Sequence, residues 1–192
     1  DRHVLIVDSS NCTLYELINV RNVLGTWLSN GAAQWDLRSN KYANKVFGGA
    51  EAAGLPMVPG IYSFEEVESG RISHAIRLAL PLIGNQTVWP ATHTDGQSAD
   101  SLAIPMGARL RLRSDADLSG LGSQAQVVAR ALQEYGAMVV DTTVGHWALS
   151  GVPDSRWNDA DLNTLKTLRP AQFEWVDVDG WSPVSDSMAV HP

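Results

Sequence analysis

His3, Glu16 and His74 each fall on the otherwise apolar side of a predicted strand, where an unpaired charge is costly. A glutamate whose pKa is raised by burial can act as a general acid while a second carboxylate serves as nucleophile or base. That division of labour is the chemistry of glycoside hydrolysis. On this reading Glu16 is the acid, Glu66 or after it Asp36 is the second carboxylate, and His3 and His74 tune or orient the acid. No cofactor is needed. In an alternative reading His3, His74 and Glu16 hold one divalent metal ion, zinc or non-haem iron, with a position left open for substrate. A structural reading stands beside both, in which His3 bonds Glu16 across a hairpin and His74 pairs with Asp95 inside a non-catalytic module.

Sugar rings are recognised by stacking, and the chain has seven Trp. Trp35 and Trp89 are candidate substrate platforms, with Trp147 a third, while His93 and Asp95 are candidates for hydrogen bonding to substrate; Asp95 before Gly96 also fits a plain turn. No P-loop, G-x-G-x-x-G after a strand, G-x-S-x-G, H-E-x-x-H or cysteine pair is present, so none of the specific motif chemistries applies.

The elements that must position these residues are mostly short strands. Runs 3–7 and 12–18 flank the turn cluster 8–11 as a hairpin. Centring the turn between Ser9 and Ser10 predicts Val7 opposite Cys12, Leu5 opposite Leu14 and His3 opposite Glu16, all on one side. A strand is predicted over 33–37. Ser63 with Glu66 three residues later is a capping box, which starts a short helix and gives Glu66 a structural role as well. A second hairpin is predicted from 72–81 and 87–93, pairing Trp89 with Leu80, His93 with Ile76 and Asp95 with His74. Pro90 marks its second arm as an edge or a bulge. Segment 108–113 alternates, with Leu110 and Leu112 on one side and Arg109, Arg111 and Arg113 on a solvated other. The clearest helix runs from Ser123 as N-cap to Tyr135, with Gly136 as its stop. Strands are predicted over 138–140, 146–149 and 173–178, and a short helix over 159–165.

This pattern predicts a mainly β fold with minor α, a β-sandwich or jelly-roll core carrying two or three short helices. Residues 1–181 form a single β-rich domain and 182–192 a loose tail. At 192 residues the chain suits one substantial core. Fourteen basic against 21 acidic residues give a net charge of -7, with no basic run beyond the three alternating arginines. Binding of nucleic acid or of an anionic membrane through a basic face is excluded. No apolar stretch reaches the roughly 18 residues of a membrane span. The single Cys12 excludes an intramolecular disulfide and reads as a small core residue of the first hairpin.

Several segments resemble a group of secreted, largely uncharacterised proteins of soil bacteria, often associated with carbohydrate-active modules. They are 3–8 (HVLIVD), 14–17 (LYEL), 36–40 (DLRSN), 52–56 (AAGLP), 70–76 (GRISHAI), 89–93 (WPATH), 106–110 (MGARL) and 149–154 (LSGVPD). The resemblance implies export to the extracellular space and work on polysaccharide or cell-wall glycan. It also implies a further segment ahead of Asp1, so that this chain lacks part of a domain or pairs with an N-terminal piece of the same protein. Together these expectations describe a secreted carbohydrate-active enzyme, a glycoside hydrolase. The alternatives are a non-catalytic glycan-binding or structural module and a His/His/Glu metal-dependent enzyme.

Overall fold

The computed structural model describes residues 1–46, 49–178 and 186–189. Among the described residues the architecture is mainly β and sandwich-like, with 29% strand against 18% helix, three short helices and no closed barrel. Among the described residues no helix is long and apolar enough to cross a membrane.

The first sheet is antiparallel. Its strands β1 (Val4–Asp8), β2 (Thr13–Ile18), β5 (Gly31–Asp36) and β6 (Asn44–Val46) lie in that order, and β3 (Arg21–Val23) and β4 (Thr26–Leu28) form a separate ribbon. The hairpin of β1 and β2 closes two residues further along than predicted, with Val7 opposite Leu14 and Leu5 opposite Glu16. The cause is local: Asp8 Oδ1 accepts from the Ser10 amide at 3.0 Å and the Ser10 hydroxyl at 2.6 Å, which organises a loop over 9–12 in place of a tight turn between Ser9 and Ser10. Asp8 then pairs with Thr13. A shift of two residues keeps every side chain on its face, and Leu5, Val7, Leu14 and Glu16 still share one side. Cys12 leaves the strand instead; it is exposed, with φ of 55°, and is not a core residue.

The second sheet has five strands in the order β10 (Ala148–Leu149), β7 (Ile76–Leu80), β9 (Ala137–Thr142), β8 (Arg109–Leu112) and β11 (Phe173–Trp175). Here the second predicted hairpin fails. Residues 87–93 form no strand, the Trp89–Pro90 bond is cis, and the neighbours of β7 are the antiparallel β10 and the parallel β9. A near-continuous apolar run such as β7 suits a central strand covered on both faces.

The helices follow their sequence signals closely. In α1 (Phe64–Glu68) both bonds of the Ser63–Glu66 capping box are made. The long helix α2 (Ser123–Glu134) buries Ala125, Val127, Val128, Ala131 and Leu132 and ends before Gly136, whose φ is 76°. Its N-cap is Gly122 rather than Ser123. The cap comes from α3 (Asp159–Leu162): the Asp161 carboxylate accepts from the Gln124 amide at 3.2 Å and the Ala125 amide at 2.9 Å. A Cβ on Gly122 would stand 2.3 Å from the Asp161 carboxyl carbon, so the cap needs glycine there.

Most of the core gathers on the five-stranded sheet and α2, and a smaller cluster of Leu14, Ala33, Trp35 and Ala50 covers the first sheet; Met188 packs against both. Within the tail expected to be loose, 186–189 are therefore docked. Ser187 is buried and donates its hydroxyl to the Asn40 carbonyl at 2.9 Å. Residues 182–185 and 190–192 lie outside the described residues.

Candidate functional site

Arg77 is the second residue of β7, a strand that lies between β10 and β9, and is only 8% exposed. Its stem runs against Gly60, where an added Cβ would come within 2.5 Å of Arg77 Cγ. The guanidinium donates from Nη1 to the Ser150 hydroxyl at 3.0 Å and from Nη2 to Glu51 Oε1. The Glu51 side chain is 1% exposed. The remaining bonding capacity is unmet among the described residues: Arg77 Nε, Glu51 Oε2 and the nearby His3 Nδ1 are buried without a hydrogen-bond partner.

Register then brings a second carboxyl to the same face. Ala79 pairs with Asp141 across the parallel β7–β9 ladder, and Ala79 points the same way as Arg77 two residues earlier. Burial raises the Asp141 carboxyl above its ordinary value and the negative charge of Asp95 raises it further, against the Thr142 amide and the Arg77 charge. Asp95 is exposed and accepts the Thr142 hydroxyl at 2.6 Å. Burial lowers both Arg77 and His3, and for His3 the Arg77 charge and the terminal amino group add to it. Asp141 is the penultimate residue of β9, and Asp95 meets Thr142, the last residue, so the two carboxyls stand at the carboxyl end of the parallel strand pair, the end at which open parallel sheets take ligands.

The residues singled out from sequence do not come together as one set. Glu16 is fully buried, accepting from the Met57 amide at 2.7 Å, the Val58 amide at 3.2 Å and Trp35 Nε1 at 3.0 Å. Burial raises its pKa and those three bonds pull against the shift. Both oxygens are engaged. Glu66 Oε2 is used by the Ser63 cap, and its Oε1 meets His74 Nε2 at 3.1 Å. The other ring nitrogen of His74 is 2.9 Å from the Ala75 carbonyl, so His74 does not pair with Asp95. Asp36 is exposed and held by Arg38, whose hydrogen bonds keep its carboxyl below the usual range. Trp35 is a core residue, and Trp89 is half-buried with its indole donating to the Ser187 carbonyl at 3.3 Å. His93 is exposed beside Thr92, whose hydroxyl is 2.7 Å from His93 Nδ1. Among the described residues no group of three or more His, Cys, Asp or Glu stands in an arrangement that could hold a metal ion, so the His3, His74 and Glu16 ligand set is not assembled. The predicted arginine face exists but its charges are largely spent locally, Arg109 on the Tyr135 carbonyl, Arg111 on Glu174 and Arg113 on Asp115.

Sequence reasoning missed Arg77, Glu51 and Asp141. Two of them carried a signal: Arg77 and Asp141 are lone charges in apolar strand runs, and a charge in a strand covered on both faces must have a reason. It also missed Trp27, which stands 71% exposed on the β3–β4 ribbon, where a tryptophan face is open to solvent. Comparison with protein-family models, with curated proteins and with solved structures finds no match.

Proposed function

We propose that the protein is a secreted carbohydrate-active enzyme, a glycoside hydrolase acting on polysaccharide or cell-wall glycan, with Asp141 as proton donor and Asp95 as the second carboxylate. The observation that carries this is the unequal pair itself. One carboxyl is half-buried and raised in pKa, the other is exposed, and each lies within electrostatic reach of the other. A carboxyl that keeps its proton to higher pH can protonate a glycosidic oxygen, while an ionised neighbour stabilises the positive charge that develops on the sugar or activates water. Arg77, fixed by Glu51 and Ser150, holds a positive charge behind Asp141 and limits how far its pKa can climb. Exposed Trp27 offers a stacking platform for a sugar face.

Glu16 takes no part in this chemistry and serves as a core polar residue. A non-catalytic glycan-binding module is the second reading, favoured by the same sealing of Glu16 and by the capping role of Glu66.

Reducing-sugar release from a polysaccharide panel tests the proposal. Asp141→Asn and Asp95→Asn are each expected to lower kcat by about 10²- to 10⁴-fold with the melting temperature little changed. Glu16→Gln is expected to leave kcat within a few-fold of the parent. Wild-type protein that binds a glycan without cleaving any member of the panel would overturn the enzyme and leave the binding module. Full activity of both Asp variants would overturn the assignment of residues.

A further inference from the structure

The face of the five-stranded sheet under α2 is not completely filled. A cavity of about 920 Å³ opens there, near the upper end of the roughly 300–1,000 Å³ usual for small-molecule sites. Leu78, Leu132, Leu149, Leu162, Leu165 and Leu168 form much of its wall. The aromatic rings at its border are engaged with neighbours: Trp147 lies 5.1 Å from Phe173 and Tyr62 lies 5.8 Å from Trp157. Branched aliphatic walls suit a flexible alkyl chain better than a flat ring.

Four polar residues complete the lining, His146, Asp159, Asn163 and Lys166. Asp159 stands in the first turn of α3, where the free amides of a helix start favour a negative charge. Lys166 and His146 are exposed, and neither forms an ion pair among the described residues. An ammonium without an acid partner at the mouth of a leucine-walled hollow is complementary to a carboxylate head.

We propose that this cavity binds a medium-chain fatty acid, with its alkyl chain among the leucines, its carboxylate on Lys166 and His146 as a second donor. The site lies on the opposite face of the sheet from Arg77 and Asp141 and does not depend on the reading of that cluster.

Isothermal titration of the full chain with octanoate, decanoate and dodecanoate, each below its micelle concentration, is the test. Expected is one-site binding whose Kd tightens about fourfold for each added methylene until the chain fills the cavity. Decanol should bind about tenfold more weakly than decanoate. Lys166→Met, at an exposed position, should weaken decanoate about five- to tenfold and leave decanol unchanged. No saturable binding of any of the three acids would overturn the proposal. Equal affinities for decanoate and decanol, together with no effect of Lys166→Met, would overturn the assignment of the head group.

Discussion

The two faces of the five-stranded sheet are built from alternate residues of the same strands and have opposite chemistry. On one, Ile76, Leu78, Ala137, Val139, Leu110 and Leu112 meet the apolar stripe of α2, and the space left over is a leucine-walled cavity. On the other, Arg77, Asp141 and the side chain of Glu51 bring buried charge together with bonding capacity that the described residues do not fill. An apolar face tolerates empty space, because a dry hollow costs only lost contacts. A charged face tolerates little imbalance, because each unpaired ion in a low-dielectric surrounding costs several kcal/mol. The first face therefore keeps open space, and on the second a carboxyl is held above its ordinary pKa.

Breaking the charged face should have the largest effect. Arg77→Met leaves Glu51 buried without its cation and is expected to cost about 3–5 kcal/mol, read as a lower urea midpoint at unchanged slope. The double variant Arg77→Met, Glu51→Leu should regain much of that loss, since it removes the uncompensated charge along with its partner. If the single variant were as stable as the parent, the contrast between the faces would fail. On the apolar face Leu78→Ala enlarges an existing hollow and is expected to cost about 2–3 kcal/mol, with no change in how stability depends on pH.

The smallest effect is a slope. Burial raises the carboxyls of Glu16 and Asp141, so over this range the native state binds more protons than the unfolded chain. Each contribution to stability is fully present below that group's ordinary value, 4.5 for Glu16 and 3.8 for Asp141, and is lost as pH rises through the shifted value. Glu16→Gln should cost about 1–2 kcal/mol at acidic pH, because its amide nitrogen cannot accept from Trp35 Nε1. That deficit should narrow as pH rises, and the stability profile of the variant should be flatter than that of the parent. Urea titrations at a series of pH values measure it, and a deficit that grew with pH would contradict the burial of Glu16 as an acid.

Local signals carried much of the fold. The Ser63–Glu66 cap, the α2 stripe with its Gly136 stop and the Leu110/Leu112 alternation all need only neighbours a few residues away. The set of residues facing inward from the first hairpin survived a two-residue error in pairing, because side-chain direction has period two. Long-range choices were not legible. Asp161 caps a helix that begins 38 residues before it, and β7 takes β9 as a parallel partner across the intervening chain. With the predicted hairpin gone, Asp95 passed from His74 to Thr142, and the candidate acid passed from Glu16 to Asp141.

What the sequence determined by itself was therefore the type of each element and which residues would want to be inside, since propensity, capping and alternation act over a turn or a pleat. Only the tertiary structure decided the fate of each inward-facing polar group. Glu16 has two amide donors and an indole donor, whereas Asp141 has the Thr142 amide and a neighbouring carboxylate. Desolvation acts on both alike, and the difference lies in which donors distant segments bring within hydrogen-bond reach.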